Sequence, residues 1–190
     1  AAADNTQPSG IDAKVKKYLD RYKFTPGQKE IADEVLEYFK QLTPWRKKRD
    51  CDPPPKALRL LVLGGPGAGK STCIKPLVEV AKMMKLGFVQ KCSFMGIAAG
   101  LVDGSTIMKT FQISTGPREL SPDELLQLRK KIKFHKLVLL VVDECSMITP
   151  THIHVVDMRL RQLAGLPNTP FGGIAVILTG DYMQTQPVMA

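Results

Sequence analysis

Gly64-Gly65-Pro66-Gly67-Ala68-Gly69-Lys70-Ser71 fits the spacing G-x-x-x-x-G-K-[ST] at every fixed position. It follows a short aliphatic run, 58–63, and opens a stretch of helical periodicity that continues to about residue 84. Strand, glycine turn, then helix is the context in which such a loop cradles phosphate. Its glycines let backbone N–H groups turn inward, and the helix N-terminus adds a favourable field for anions. In this arrangement Lys70 reaches the β- and γ-phosphates and the Ser71 hydroxyl holds Mg²⁺. The residues Gly64 to Ser71, with Thr72, are therefore expected to bind a nucleoside triphosphate.

A second half of such a site belongs at the end of a buried strand. Leu137-Val138-Leu139-Leu140-Val141-Val142 runs directly into Asp143-Glu144. Asp143 is placed to hold Mg²⁺, and Glu144 to orient or deprotonate an attacking water. Paired acids there favour hydrolysis over transfer to a small acceptor. Lys70, Asp143, Glu144 and, further along the chain, Gln184 are the catalytic candidates. A further polar cluster, Thr179-Gly180-Asp181-Tyr182-Met183-Gln184, follows the last aliphatic run. Gln184 is placed to sense the γ-phosphate and Asp181 to orient water or metal, although spacing alone explains the cluster equally well as a polar turn.

Around these motifs the chain alternates aliphatic runs with helical stretches. Ile31, Val35, Leu36 and Phe39 predict a helix over 26–41, and the four prolines and basic run of 43–56 predict a loop. Strands are expected at 58–63, 88–93, 137–142 and 174–179. Helices are expected at 122–132, with Ser121 as N-cap, and at 151–163. Strands alternating with helices make parallel βαβ units, an α/β fold.

With 190 residues the chain is read as one domain able to bury a substantial core. Its 27 Lys+Arg against 18 Asp+Glu give a net charge of +9, which favours polyanionic partners, nucleic acid and acidic membranes among them. Two basic runs stand out, 46–49 and 129–136. The longest aliphatic run is far too short to span a bilayer, and no secretory signal pattern follows the first residues. Cys51, Cys73, Cys92 and Cys145 are scattered, with no paired metal-ligand spacing, and fit a reducing compartment. His152 and His154 are expected to be structural.

Several ordered segments resemble the first RecA-like domain of superfamily 1 DNA helicases, specifically the petite-integration-frequency family and its RecD relatives. They begin at Phe24-Thr25-Pro26-Gly27-Gln28 and continue through the phosphate loop, 93–99, 104–111 and Asp143-Glu144-Cys145-Ser146-Met147. The segments 157–162, Phe171-Gly172-Gly173 and Gly180-Asp181-Tyr182-Met183-Gln184 follow in family order.

The resemblance implies a P-loop NTPase fold, a RecA-like three-layer α-β-α sandwich with a mostly parallel central sheet. It divides the chain into a tail and lead-in helix over 1–23 and the motor domain over 24–190, with a second RecA-like domain expected in the full-length parent. It implies ATP and Mg²⁺ as cofactors, with Gln28 reading the adenine edge, and single-stranded or fork DNA as partner. It also implies 5′-to-3′ translocation, roles in repair, recombination and telomere maintenance, and a nuclear location in a eukaryote (or a mitochondrial one) and a cytoplasmic one otherwise.

In that family the segments matched by 93–99 and 104–111 touch the backbone of single-stranded DNA, and here backbone amides near Ser93, Gly96 and Thr106 are the candidates to bind its phosphates. The chain departs from its pattern at Met95, where threonine is usual, at Met108, where histidine is usual, and at Thr185-Gln186 after Gln184. Translocation needs two closing domains, so the chain alone is expected to bind ATP·Mg²⁺ but to hydrolyse it feebly. Two other readings stand beside this one: an RNA helicase of the same superfamily, and a degenerate ATP-binding module.

Overall fold

In the computed structural model, which describes residues 10–48, 54–94, 105–113 and 116–183, the aliphatic run of 137–142 is the centre of a sheet. It forms strand β4 (Leu137–Asp143), every residue of which is buried up to Val142. The other strands are β1 (Arg59–Leu63), β2 (Phe88–Ser93), β3 (Ser105–Thr106) and β5 (Ala175–Gly180). Their order is β1-β5-β4-β2-β3, and every pairing is parallel. Parallel strands need covering on both faces, which is why β4 carries no polar residue before its last position.

Two apolar layers supply the cover. On one face lie α1 (Gly10–Leu19), α2 (Pro26–Lys48) and α3 (Lys70–Met83), whose Val15, Phe39, Leu77 and Val80 pack with Val141 and Ile177. On the other lie α4 (Ile107–Phe111), α5 (Pro122–Lys131) and α6 (Pro150–Ala164), whose Ile107, Leu128 and Leu160 pack with Leu140 and Val142. Each large apolar side chain fully buried this way contributes roughly 1.5–3 kcal/mol. A register shift between Phe88 and Val89 sends both Val138 and Leu139 to the first face, after which alternation resumes. At the sheet edge the cover ends, and Leu61 and Leu63 of β1 are exposed. Among the described residues no helix is long and apolar enough to cross a membrane.

The α/β class and each expected strand and helix are found within about two residues of their expected ends. The 43–56 loop is the exception, because α2 runs on through Pro44 to Lys48. Proline removes one intrahelical bond and normally breaks a helix. Here the Thr43 hydroxyl donates to the Phe39 carbonyl at 2.8 Å, Leu42 is buried, and Trp45 packs against the core. The Arg46 guanidinium donates to the carbonyls of Leu86 and Leu137. Tertiary anchoring outweighs the local cost. Residues 49–53, including Cys51, lie outside the described residues.

The segment 157–162 owes its residue types to scaffolding. Asp157 accepts from the Phe171 amide at 2.5 Å and pairs with Arg161 at 2.7 Å. Gln162 exchanges two hydrogen bonds with the backbone of Leu120, 3.1 and 2.9 Å. Arg159 is fully buried and donates to the carbonyls of Gly116 and Arg118. Three side chains from one helix thus hold the chain on both sides of it. His152 closes a capping box with Thr149, and Ser121 one with Glu124.

Candidate functional site

The C-terminal ends of β1, β5 and β4 lie side by side, and ligands of open α/β sheets bind at that edge. β1 leads into the phosphate loop. Gly64 donates its amide to the Gly180 carbonyl at 3.2 Å, so the loop starts anchored to the end of β5. Gly67 and Gly69 adopt φ of +73° and +76°, left-handed values that let the loop double back. Residues 65–68 are exposed and carry little packing of their own, and Ser71 and Thr72 are exposed in the first turn of α3. Lys70 lies along the loop, its Nζ donating to the carbonyls of Gly64 at 2.5 Å and Gly65 at 3.1 Å.

Gln28, at the start of α2, reaches this loop across forty residues of sequence. Its Nε2 donates to the Ala68 carbonyl at 2.9 Å, while its Oε1 accepts from the Thr25 amide at 3.0 Å. A Cβ on Gly69 would collide with that amide nitrogen, which fits the glycine there. Both ends of the Gln28 amide are therefore engaged, one of them on the phosphate loop itself. Gln28→Ala is expected to weaken binding of inorganic tripolyphosphate, which has no base to read, by about threefold, the value of half a hydrogen bond or more. Isothermal titration of the parent and the variant checks this.

At the end of β4, Asp143 Oδ1 accepts the Thr179 hydroxyl at 2.5 Å and the Glu144 amide at 3.0 Å. Thr179 comes from β5, the strand inserted between β1 and β4. Its hydroxyl is the orienting partner that sequence reading missed, since its neighbour in space is 36 residues away. Glu144 is a non-glycine residue at φ +56°, a strained left-handed value of the kind that clusters at functional sites. The three-residue turn after it, Cys145–Met147, packs directly on Gly180, where a Cβ would meet the Cys145 Sγ at 2.7 Å. The Tyr182 hydroxyl bonds the Cys145 thiol, tying the turn to the segment after β5, and burial raises the pKa of both groups.

Ser71, Asp143 and Thr179 line one cavity of about 20 Å³, together with Ile74, Lys75, Lys91, Cys92 and Val141. Mg²⁺ takes hard oxygen ligands and keeps most of its shell as water and phosphate. The Ser71 hydroxyl and the Asp143 carboxylate are hard oxygen donors of that kind, and both border this cavity. Asp181 is buried, with Oδ1 accepting the Met183 amide at 2.9 Å and Oδ2 lacking a hydrogen-bond partner among the described residues. Gln184 lies outside the described residues, as do Met95 and Gly96.

The strand-contact candidates fare differently. Ser93 ends β2 beside Asp143 and is itself fully buried. Thr106 is half-buried, and its hydroxyl accepts the Lys109 amide at 3.2 Å to cap α4. Met108 packs against the second apolar layer. Burial holds the thiols of Cys73 and Cys92 in the neutral form, each pushed up to about 11.

This arrangement has close counterparts among known proteins. The chain is 31% identical over 193 residues to the ATP-dependent DNA helicase PIF5 of Trypanosoma brucei brucei, covering 98% of this chain and 21% of that protein. It is 37% identical over 132 residues to PIF4 of the same organism, covering 66% of this chain and 16% of the relative. The chain thus spans about a fifth or less of the length of these relatives. Among solved structures, one described as the structural basis for DNA unwinding at forked dsDNA by two coordinating Pif1 helicases superposes with a TM-score of 0.64 at 25% identity, over 89% of this chain and 36% of the other. Bacteroides Pif1 in complex with ADP-AlF3 and ssDNA superposes at 0.56 and 28% identity, over 78% and 33%. A family profile accounts for residues 55–190, from before the phosphate loop to past the strand-end acids, and by that match the chain belongs to the PIF1-like helicase family.

Proposed function

We propose that this chain is the first RecA-like domain of an ATP-dependent DNA helicase, binding ATP·Mg²⁺ at the shared ends of β1, β5 and β4. One observation carries the reading: β5 ties the phosphate loop, through Gly64 and Gly180, to the strand-end acid, through Thr179 and Asp143. The relatives' names and the nucleotide and single strand held by Bacteroides Pif1 support it.

In this reading the backbone amides of Gly65, Gly67 and Gly69 turn onto the phosphates, Pro66 having none to give and that of Ala68 being held by the Gly65 carbonyl, and Lys70 swings from its loop carbonyls onto the β- and γ-phosphates. Ser71 and Asp143 hold Mg²⁺, which when bound neutralises charge on the phosphate oxygens. Thr179 keeps the Asp143 carboxylate aimed. Glu144, unpaired by any carboxylate hydrogen bond among the described residues, accepts the proton of the attacking water, and Asp181 orients polar groups nearby. Gln184 senses the γ-phosphate. Repair, recombination and telomere maintenance are the processes in which such a motor would serve.

Single-turnover hydrolysis tests the roles. Glu144→Gln is expected to lower the rate at least a hundredfold, the usual worth of a general base, while leaving ATP affinity within twofold. Hydrolysis at the parent rate would remove Glu144 from the mechanism.

A second reading, an ATP-binding module that does not engage a strand, is favoured by the burial of Ser93 and by the use of Thr106 as a helix cap. Titration of fluorescent single-stranded DNA and RNA, with and without a non-hydrolysable ATP analogue, separates the two. Binding that shifts with nucleotide supports the motor domain, and nucleotide binding with no strand affinity at low salt supports the module.

A further inference from the structure

The charge of this chain is segregated along its sequence. No Asp or Glu occurs in 38–49, 80–94 or 125–142, three segments that together hold thirteen of the 27 Lys+Arg. The fold brings parts of all three to the edge of the sheet where β2 and β4 begin, opposite the nucleotide site. Arg46, at the end of α2, donates to the carbonyls of Leu86 and Leu137. A Cβ on Gly87 would meet both Arg46 and the Lys136 carbonyl, so these three segments touch. The Lys133 Nζ stands 5.0 Å from the Phe88 ring centroid, and Phe88 pairs with Leu137 at the first rung of the sheet.

Lys85, Lys130, Lys133 and Lys136 are all exposed around this junction. Among the described residues the ion pairs are Lys82–Glu79, Arg118–Glu124 and Arg161–Asp157, and none of them involves these four lysines. Helix C-termini account for two of the neighbouring cations, because Arg129 donates to the Leu163 carbonyl and Lys131 to the Lys109 carbonyl, both at 2.5 Å. They do not account for the other four. Exposed like charges repel one another, and an acid-free cluster of them lowers its energy most against a regular array of anions.

We propose that this edge is a docking surface for the phosphate backbone of duplex DNA, separate from the nucleotide site. Single-stranded sites present open aromatic faces on which bases stack. The two rings here are covered instead, Phe88 by Lys133 and Phe134 by the Arg129 guanidinium at 5.3 Å. What remains for a partner is ammonium groups, which read phosphate and not bases. The surface would hold a duplex arm whatever the nucleotide state of the loop.

The test compares two variants of equal net charge, Lys130→Gln/Lys133→Gln/Lys136→Gln and, on α1 and just after it, Lys14→Gln/Lys17→Gln/Lys23→Gln. Anisotropy of a fluorescent 20-base-pair duplex is followed across a salt series, with an ATP analogue titrated in the same samples. The first variant is expected to bind the duplex at least tenfold more weakly and to lose about 2.7 from the slope of log K against log salt, 0.9 for each phosphate contact removed. The second should change affinity less than threefold. Equal losses in both variants, unchanged duplex binding in the first, or a loss confined to single strands or to phosphatidylserine vesicles would each overturn the proposal. ATP-analogue binding should be equal in all three proteins. Its absence from the parent would strike the nucleotide-site reading and leave the duplex result to stand or fall separately.

Discussion

Lys70→Ala is expected to weaken ATP binding by more than a hundredfold while leaving the fold intact. Lys70 is the first residue of α3, where a cation sits at the positive end of the helix dipole, an arrangement that costs stability. Its ammonium gains only loop carbonyls in return, those of Gly64 and Gly65. Alanine is the better helix former at that position, so removing the side chain should change the unfolding free energy by no more than about 0.5 kcal/mol. Against polyphosphate the balance reverses. Charge-assisted hydrogen bonds to two phosphate groups in a loop that excludes part of the water are worth about 3 kcal/mol or more, which is the hundredfold loss. Titration with a fluorescent ATP analogue, paired with urea unfolding, reads both quantities. Equal ATP affinity in parent and variant would remove the phosphate loop from the site.

Gly172→Ala should do the opposite, destabilising the fold by about 3 kcal/mol without touching the nucleotide site. Gly172 lies in the tight turn Pro170–Gly173 at φ +57°, and a Cβ there would run into the Leu160 carbonyl and come within 2.7 Å of the Ala164 Cβ. The neighbouring backbone belongs to α6, which cannot withdraw, because Leu160 and Leu163 are buried in the second apolar layer. The variant must therefore break the turn or shift the helix. Either movement also pulls on the Asp157 carboxylate that holds the Phe171 amide. Urea denaturation should show a lower midpoint with little change in slope, and ATP affinity measured well below that midpoint should match the parent's. A midpoint within error of the parent would mean that the turn is looser than its geometry implies.

The two substitutions act on segments that differ in how readable they are. The loop 64–71 declares itself because its requirements are local: glycines where φ is positive, a lysine of fixed reach, a hydroxyl on the next turn. Asp143-Glu144 was legible for a similar reason, since a six-residue aliphatic run among helical stretches reads as an interior strand and acids at its end then fall at the sheet edge. Pro44 misled, because proline's local cost is visible in sequence while the anchoring of Leu42, Trp45 and Arg46 is not. Asp157, Arg159 and Gln162 show the reverse case. They follow the family pattern, yet Asp157 holds the Phe171 amide while Arg159 and Gln162 hold the backbone of 116–120.

Residues within one or two turns of each other are enough to set the alternation of strands and helices, the phosphate loop, and the carboxylate pair that ends the most buried strand. Packing of the whole chain is what slots β5 between β1 and β4, so that Thr179 orients Asp143, brings Gln28 onto the loop at Ala68, buries Ser93, and gathers three acid-free segments at one edge. Those outcomes depend on strand order and on contacts between residues tens of positions apart. Strand order is set by which helices cover which face, a property of the whole packed core that no window of sequence contains.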